Sequence, residues 1–386
     1  MKIIVSFTSY PPRINSVHQV VESLQRQTVQ ADEIVLYLSM DEFPDMDVAL
    51  PKALKGMIGQ KGFRVAWVHG NLKSHKKYYY ALQEYKDTVV ITVDDDKVYA
   101  RTMIEDLIKS YERFPDAISA RAVRLMLKEA EKLKPYCRWE DGKNIEEYAE
   151  TPRRDLCAIG AGGICYPTTL VDDEWFQEEL ITGVAGKCDD LWLNYNEIIN
   201  NVPVVYVKPS QKDITIENSQ IYSLAADNLY GDGNDRCIER LSLLLKNRND
   251  SCYQKWFGNL LTMEAYVAEK KRYYTGLFGE ALDKVGDMPV YLYGAGKIAV
   301  LYLRILADLG LLLEITAIIV SEKEGNPFDL YGLQVRSLAE LERDKEFGVI
   351  LGVSEVNKRE VEIKLSDYNY KNIELDMRII MKYYLC

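Results

Sequence analysis

The stretch TVVITVDDDKVY, Thr88–Tyr99, is a β-branched run that leads directly into three consecutive aspartates. Its Val, Ile and Thr residues predict a strand buried on both faces, as in a parallel sheet. Asp94, Asp95 and Asp96 then lie at the carboxyl end of that strand, where open α/β sheets have their ligand crevice. Adjacent carboxylates repel one another, and a divalent cation with oxygen ligands removes that conflict. The stretch therefore predicts a Mg²⁺ or Mn²⁺ site, with a solvated acidic loop as the alternative.

Strand and helix patterns alternate on both sides of this stretch. Lys2–Thr8, Glu33–Leu38 and Phe63–Val68 are apolar and β-rich, and the spacing of the valines predicts a helix over Ser16–Arg26. This alternation predicts an α/β fold with helices on both faces of the sheet. Further predicted elements are helices over 76–85, 102–113 and 190–199 and a strand over 202–207.

The length of the chain predicts more than one domain. A single hydrophobic core rarely serves 386 residues, so two to three domains are expected. We predict a sheet domain over 1–230, a helical connector rich in Leu, Lys, Glu and Tyr over 231–286, and a smaller α/β domain over 287–386. In the last of these, strands are predicted at 290–293, 315–320 and 348–353, and helices at 298–309 and 338–343.

Composition and charge exclude several classes of protein. Hydrophobic residues make up 47%, and 23 Gly and 12 Pro are too few for a disordered or collagen-like chain. A net charge of -11 argues against a nucleic-acid binder. Seven Cys without a C-x-x-C pair fit reduced thiols better than disulfides or zinc. Without a signal peptide or a long apolar stretch, we expect a cytoplasmic protein, and the sequence leaves open peripheral contact with the inner face of the membrane.

Five segments together resemble bacterial nucleotide-sugar glycosyltransferases of the GT-A fold. The resemblance is to the family-2 kind, which builds capsule, lipopolysaccharide or other surface glycans. The segments occur in the family's order within about residues 1–210, and they read VSFTSYPPRI, HKKYYYAL, VITVDDDKVY, GAGGICYP and DDLWL. The resemblance implies a mixed sheet and metal-dependent transfer of a hexose from a nucleotide-sugar, by default a UDP-sugar, to a saccharide or lipid-linked glycan.

The resemblance also assigns residues to the donor. Asp94–Asp96 match the D-x-D element, which binds Mn²⁺ or Mg²⁺ and the ribose and diphosphate. We take Asp96 as the direct metal ligand and Asp94 as a ribose or second metal contact. The other candidates for the donor nucleotide are Thr8, Ser9, Tyr10, Arg13, Lys76, Lys77 and Asp95. A plain strand-to-helix connection is the alternative for Tyr10 and Arg13, and a solvated helix start is the alternative for the lysines.

Catalysis is assigned to the acidic pair of the DDLWL segment. Asp190 is the candidate general base and Asp189 its support, with a helix N-cap as the alternative for Asp189. Gly162 and Gly163 are candidates to lie under the donor sugar and near the acceptor, and the alternative is a tight turn. Trp192 either belongs to the hydrophobic core or stacks on an acceptor sugar, and we favour the core. The three histidines all precede the acidic triplet, which favours inversion over retention.

The C-terminal domain carries a second nucleotide-binding pattern. Gly294 and Gly296 form G-x-G-x-x-A between a predicted strand and a helix, and Glu322 follows the next strand. This turn is either a nucleotide site, with NAD as its cofactor, or a structural or assembly element. We favour the second alternative, in which the domain would form the contact of a homo-oligomer.

Three other functions compete with glycosyl transfer. An NAD-linked sugar oxidoreductase or epimerase would use the C-terminal glycine turn. A non-catalytic scaffold would have a vestigial acidic turn, which the intact pair Asp189–Asp190 argues against. A sugar-phosphate nucleotidyltransferase would need a glycine-rich first loop, where this chain has Pro11 and Pro12.

Overall fold

An eight-stranded mixed sheet forms the centre of the N-terminal unit. The computed structural model describes residues 1–217 and 233–375, which group into two units, Met1–Met263 and Glu264–Cys386. In spatial order the central strands are β11 (Pro152–Arg153), β14 (Val204–Tyr206), β6 (Ile118–Ala120), β13 (Ile164–Pro167), β4 (Val89–Thr92), β1 (Ile3–Thr8), β2 (Glu33–Ser39) and β3 (Phe63–Val68).

The directions of these strands make the sheet mixed. β1 pairs in parallel with β2 and β4, and β2 pairs in parallel with β3. β13 runs antiparallel to both of its neighbours, β4 and β6. The predicted α/β class with a GT-A-type mixed sheet is therefore confirmed.

The register of β1 and β4 positions the site. Ser6 lies opposite Thr92 in the ladder between these strands. Because the two strands are parallel, the residues that follow them emerge at the same edge of the sheet. The loop after β1 and the acidic turn Asp94–Asp96 are thereby brought side by side.

Smaller sheets and helices complete the N-terminal unit. The small sheets contain β10 (Glu140–Asp141), β7 (Val123–Leu125) and β12 (Leu156–Ala158); β15 (Ile214–Thr215) and β5 (Lys97–Val98); and β16 (Leu261–Thr262), β8 (Leu127–Glu129) and β9 (Lys132–Leu133). The helices are α1 (Val17–Leu24), α2 (Lys52–Lys55), α3 (Lys76–Glu84), α4 (Met103–Arg113), α5 (Glu178–Leu180), α6 (Asp189–Ile199), α7 (Gly233–Arg248) and α8 (Asp250–Asn259).

Apolar faces of these helices build the core against the sheet. Val17, Val20, Val21 and Leu24 recur at helical spacing along α1, and all four are buried. They belong to one cluster with apolar residues of β1, β2 and α4. This packing fixes the loop between β1 and α1, which carries several of the predicted donor contacts.

The smaller unit is a Rossmann-like α/β domain, as predicted. Its sheet has the order β19-β20-β18-β17-β21-β22, in which all pairs except β19–β20 are parallel. Its strands are β17 (Val290–Tyr293), β18 (Ala317–Val320), β19 (Asp329–Leu330), β20 (Leu333–Ser337), β21 (Phe347–Leu351) and β22 (Tyr370–Asn372), and its helices are α9 (Met263–Asp283), α10 (Lys297–Asp308) and α11 (Glu355–Leu365).

The helices of the smaller unit and the boundary between the units differ from the sequence predictions. The helix predicted at 338–343 is a single 3₁₀ turn, Leu338–Glu340, and the helix Glu355–Leu365 was not predicted. The boundary between the units, after Met263, falls inside the segment 231–286 that we predicted as a connector. α7 and α8 of that segment belong to the N-terminal unit. Nowhere in 1–217 or 233–375 does a helix combine the length and apolarity needed to cross a membrane.

A buried carboxyl group in α6 makes the stability of the fold dependent on pH. Glu197 is 2% exposed and accepts a hydrogen bond from Asn194 Nδ2 at 3.1 Å. Burial raises the pKa of Glu197 to about 8, despite that bond. The ordinary pKa of Glu is about 4.3, so above that value the unfolded chain loses a proton that the folded chain retains. The free energy of unfolding should therefore fall as pH rises from about 4.3 to about 8.

Glu197→Gln should remove this dependence, because the amide never ionises. Relative to the unchanged chain, the variant should gain stability on the order of 2–4 kcal/mol at about pH 8.5 and little at about pH 4.5. Urea denaturation at several pH values measures the difference. Glu179→Gln, at an exposed position, is the matched control and should be neutral at every pH. Equal stability of the two variants across this range would contradict the burial of a protonated Glu197.

Candidate active site

A cavity of about 960 Å³ lies at the carboxyl ends of β1 and β4. It is within the size range of sites for small molecules. The predicted residues that line it are Thr8, Ser9, Tyr10, Arg13, Lys76, Lys77, Asp94, Asp95, Asp96, Asp189 and Asp190. The fold thus brings together four segments that are separate along the chain.

Asp95 and Asp96 are held by a cation from the first loop. Arg13 donates to Asp95 Oδ1 at 2.6 Å and lies 3.4 Å from Asp96 Oδ2. Ser9 Oγ donates to Asp95 Oδ2 at 2.5 Å. Burial raises the pKa of Asp95, although Arg13 and Ser9 act in the opposite direction. Arg13, a predicted contact of the donor nucleotide, is thus engaged with the acidic turn.

Lys77 joins the acidic turn to the N-terminus of α6. Its Nζ lies 2.8 Å from Asp94 Oδ1 and 2.7 Å from Asp189 Oδ2, and the side chain is only 5% exposed. Burial alone would lower the pKa of Lys77, but Asp189 and Asp94 raise it well above its ordinary value. Lys77 therefore stays charged, and its ammonium is shared between two carboxylates in the cavity that was predicted to hold the donor.

The two aspartates of α6 have opposite protonation tendencies. Burial favours the neutral form of Asp189, but Lys77 and His75 more than offset this and lower its pKa. Asp190 accepts a hydrogen bond from the Gly160 backbone N–H at 3.1 Å. Burial, followed by repulsion from Asp189, raises the pKa of Asp190 to about 7. A pKa near neutrality is the value that suits a general base.

The acidic turn and the first turn of α6 together carry more carboxyl groups than the two cations that contact them. Arg13 and Lys77 contact Asp94, Asp95, Asp96 and Asp189, with Asp190 beside them. Within the described residues, no group of three or more His, Cys, Asp or Glu side chains could hold a metal ion by itself. Mg²⁺ and Mn²⁺ commonly take one or two carboxylates and complete their shell with substrate phosphates. The residues therefore fit an ion that is held jointly with a diphosphate.

Gly160 is the glycine that faces the carboxylates, and the assignment of Gly162 and Gly163 to the sugars stays a prediction. A Cβ on Gly160 would lie 2.5 Å from Lys77 Nζ and 3.2 Å from Asp94 Oδ1. Gly162 instead packs against the backbone of Ala122, and Gly163 has φ +88 and packs on Met103. These two glycines shape the turn, whereas Gly160 makes room at the site.

The structure bears on two alternatives that the sequence left open in α6. Trp192 is fully buried and donates to the Trp175 carbonyl oxygen at 2.9 Å, so it is a core residue and not a sugar contact. The N-cap of α6 is Cys188, so Asp189 is the first helical residue and not the cap. Both aspartates lie in the first turn, where the helix dipole favours negative charge.

The rim of the cavity contains residues that were not predicted. Lys76, which is 1% exposed, pairs with Glu42, and its Nζ donates to Asn71 Oδ1 at 3.3 Å. Both partners line the cavity and follow β2 and β3. Their position after parallel strands was the signal that could have identified them. Thr8 also lines the cavity, but its hydroxyl donates to the Tyr37 carbonyl oxygen at 2.8 Å.

The glycine turn of the smaller unit has a packing role. Gly294 has φ +110, and a Cβ there would lie 3.0 Å from the Gly352 carbonyl oxygen. Gly296 precedes α10, and Glu322 is exposed after β18. The close approach of two turns accounts for Gly294 without a ligand, and the prediction of a nucleotide site there stays a prediction.

Comparison with known proteins finds similarity in structure only. No family model matches the chain, and no curated protein sequence matches it significantly. The chain is similar in structure to 4-diphosphocytidyl-2C-methyl-D-erythritol synthase from Anaerococcus prevotii, with 12% identity and a TM-score of 0.38 over 63% of this chain and 98% of that one. It is similar to 2-C-methyl-D-erythritol 4-phosphate cytidylyltransferase from Thermus thermophilus, with 13% identity and a TM-score of 0.34 over 63% and 98%. It is similar to TarS from S. aureus, with 13% identity and a TM-score of 0.39 over 74% of this chain and 50% of that one. Identities and scores this low assign no function, which must be argued from the side chains.

Proposed function

We propose that the N-terminal unit is a metal-dependent glycosyltransferase. It transfers a hexose from a nucleotide-sugar, by default a UDP-sugar, to a hydroxyl of a saccharide or lipid-linked acceptor, with inversion. The observation that carries this proposal is the arrangement of the acidic turn beside a carboxyl group whose pKa is raised to about 7, in one cavity. The resemblance in sequence supports a role for this transfer in the synthesis of surface glycans.

Asp190 is the proposed general base. Ionised, it accepts the proton of the acceptor hydroxyl as that oxygen attacks the anomeric carbon. The Gly160 N–H fixes Asp190 Oδ1 at 3.1 Å and so holds the carboxylate in place. Asp189, held ionised by Lys77, raises the proton affinity of Asp190 without itself being available to take the proton.

The acidic turn is the proposed donor end of the site. Asp96 and Asp94 would hold Mg²⁺ or Mn²⁺ together with the donor diphosphate, and the bound ion would supply Lewis-acid stabilisation of the charge on the leaving diphosphate. Arg13 and Ser9 hold Asp95, the middle residue of this turn, in place. Ser9 and Tyr10, which line the same cavity, remain the proposed contacts for the nucleoside.

A transfer assay tests the proposal. The purified chain is incubated with UDP-hexoses and small saccharide acceptors, with Mn²⁺ or with EDTA, and UDP release and the glycosylated product are measured. We expect UDP release that requires the metal and is restored when Mn²⁺ is added back. Activity that persists in excess chelator would contradict the metal role. In parallel incubations, release of pyrophosphate from UTP and a hexose 1-phosphate, or reduction of added NAD by a UDP-hexose, would indicate one of the competing functions.

A further inference from the structure

Two cysteines lie against each other beside the catalytic pair. Cys188 directly precedes Asp189 and caps α6, and Cys237 lies one turn into α7. Their side chains are direct neighbours. Both are buried, with Cys188 8% and Cys237 0% exposed.

The neighbouring contacts fix this juxtaposition independently. Cys188 Sγ donates to Asn234 Oδ1 at 3.5 Å, and Asn234 lies one turn before Cys237 on α7. In the other direction, Cys237 Sγ donates to the carbonyl oxygen of Ala185 at 3.6 Å, three residues before Cys188. The first turn of α7 and the segment that leads into α6 are thus hydrogen-bonded to each other through both thiols.

We propose that Cys188 and Cys237 form a reversible disulfide that controls the position of Asp189 and Asp190. Cys188 and Asn234 line the active-site cavity, so a small oxidant has a route to the Cys188 sulfur through the cavity. Cys137, by contrast, is exposed and is not among the residues that line this cavity. The oxidation is independent of the proposed glycosyl transfer, and its effect on turnover rests on that proposal.

The two thiols have different roles in the reaction. Cys188 lines the cavity, whereas Cys237 is 0% exposed. Cys188 is therefore the sulfur that meets and attacks the oxidant, and Cys237 is the resolving thiol.

The chemistry balances with a peroxide as the oxidant. The Cys188 thiolate attacks one oxygen of hydrogen peroxide, which breaks the O–O bond, gives a sulfenic acid and releases hydroxide. The Cys237 sulfur then attacks the sulfenic sulfur, loses its proton and expels the oxygen as water. In total, two thiols lose two electrons and two protons, and one peroxide becomes two waters. A dithiol reductant reverses the change.

Forming this bond should disturb the catalytic pair. A disulfide brings the sulfurs to about 2 Å, closer than two unbonded sulfur atoms can approach, so we expect the chain around Cys188 to shift. Asp189 is the next residue, and its contact with Lys77 Nζ is only 2.7 Å. A displacement on the order of 1 Å at a catalytic group can cost about 10²-fold in rate. We therefore expect oxidation to lower turnover strongly and reduction to restore it.

The experiment treats the full chain with hydrogen peroxide, blocks free thiols by alkylation and maps tryptic peptides by mass spectrometry. We expect a Cys188–Cys237 linked peptide that dithiothreitol removes. Cys237→Ser should instead accumulate a Cys188 sulfenic acid, which dimedone captures, and Cys188→Ser should form neither product. Cys137→Ser is the matched control and should keep the disulfide.

Turnover measured on the same samples separates the two proposals. Loss of UDP release in parallel with the disulfide, and its recovery with dithiothreitol, would support the control of the catalytic pair. Absence of the linked peptide from oxidised, folded protein would overturn the disulfide whether or not the chain is a glycosyltransferase. A linked peptide with unchanged UDP release would overturn the control of turnover, and absence of UDP release from the reduced protein would count against the proposed function alone.

Discussion

Asp190→Asn should lower kcat for glycosyl transfer by about 10²–10⁴-fold, the usual contribution of a general base. The amide cannot accept the proton of the acceptor hydroxyl, while its size and its bond from the Gly160 N–H can be retained. Donor binding should change little, because the acidic turn and its partners Arg13 and Lys77 remain. Steady-state kinetics and titration with UDP measure the two quantities separately.

The pH profile identifies the group that titrates. Only ionised Asp190 acts as a base, so kcat should rise with pH and level off above the pKa of Asp190, which is about 7 without a metal and lower beside a bound cation. Asp189→Asn removes the nearest negative charge and should shift this rise in kcat to lower pH. If Asp189→Asn leaves the rise at the same pH, or if Asp190→Asn loses donor affinity but keeps a normal kcat, Asp190 has another role.

Lys77→Met should destabilise the N-terminal unit by about 3–5 kcal/mol, the typical cost of leaving a buried charge without its partner. Asp94 and Asp189 both lose the ammonium that lies 2.8 Å and 2.7 Å from them. Their negative charges then face each other and Asp190 in a buried cavity, which should also raise the pKa of Asp190 further. Urea denaturation measures the change in the free energy of unfolding.

Two further variants serve as controls for Lys77. Lys73→Met removes a lysine from an exposed position on the same rim and should change stability little. The double variant Lys77→Met with Asp189→Asn should recover part of the loss, because one of the stranded charges is gone. A loss in Lys77→Met that Asp189→Asn does not reduce would mean that packing, and not charge pairing, accounts for the effect.

Much of the site could be predicted because it follows long, strongly patterned strands. Thr88–Val93 predicts a buried strand by its branched side chains alone, and the rule that ligands bind at the carboxyl ends of strands places Asp94–Asp96 in a cleft. The same reasoning applied to β2 and β3 would have found Glu42 and Asn71. The glycine pattern after Val290–Tyr293 likewise predicts the Rossmann-like unit.

The remaining features depend on contacts that sequence patterns do not contain. Lys77 pairs with Asp94 and Asp189, which lie 17 and 112 positions further along the chain, so its role as a bridge appears only in three dimensions. Strands as short as Ile118–Ala120 and Leu156–Ala158 have too few residues to show a period. The choice among Gly160, Gly162 and Gly163 needs the direction in which each absent Cβ would point.

The most direct test of the central claim is calorimetric titration of UDP into the chain with and without Mn²⁺, repeated with Asp96→Asn. If the acidic turn holds a divalent ion jointly with a diphosphate, UDP should bind tightly only with Mn²⁺, and Asp96→Asn should abolish the effect of the metal. Equal affinity with and without Mn²⁺, or a metal effect unchanged in Asp96→Asn, would contradict the account.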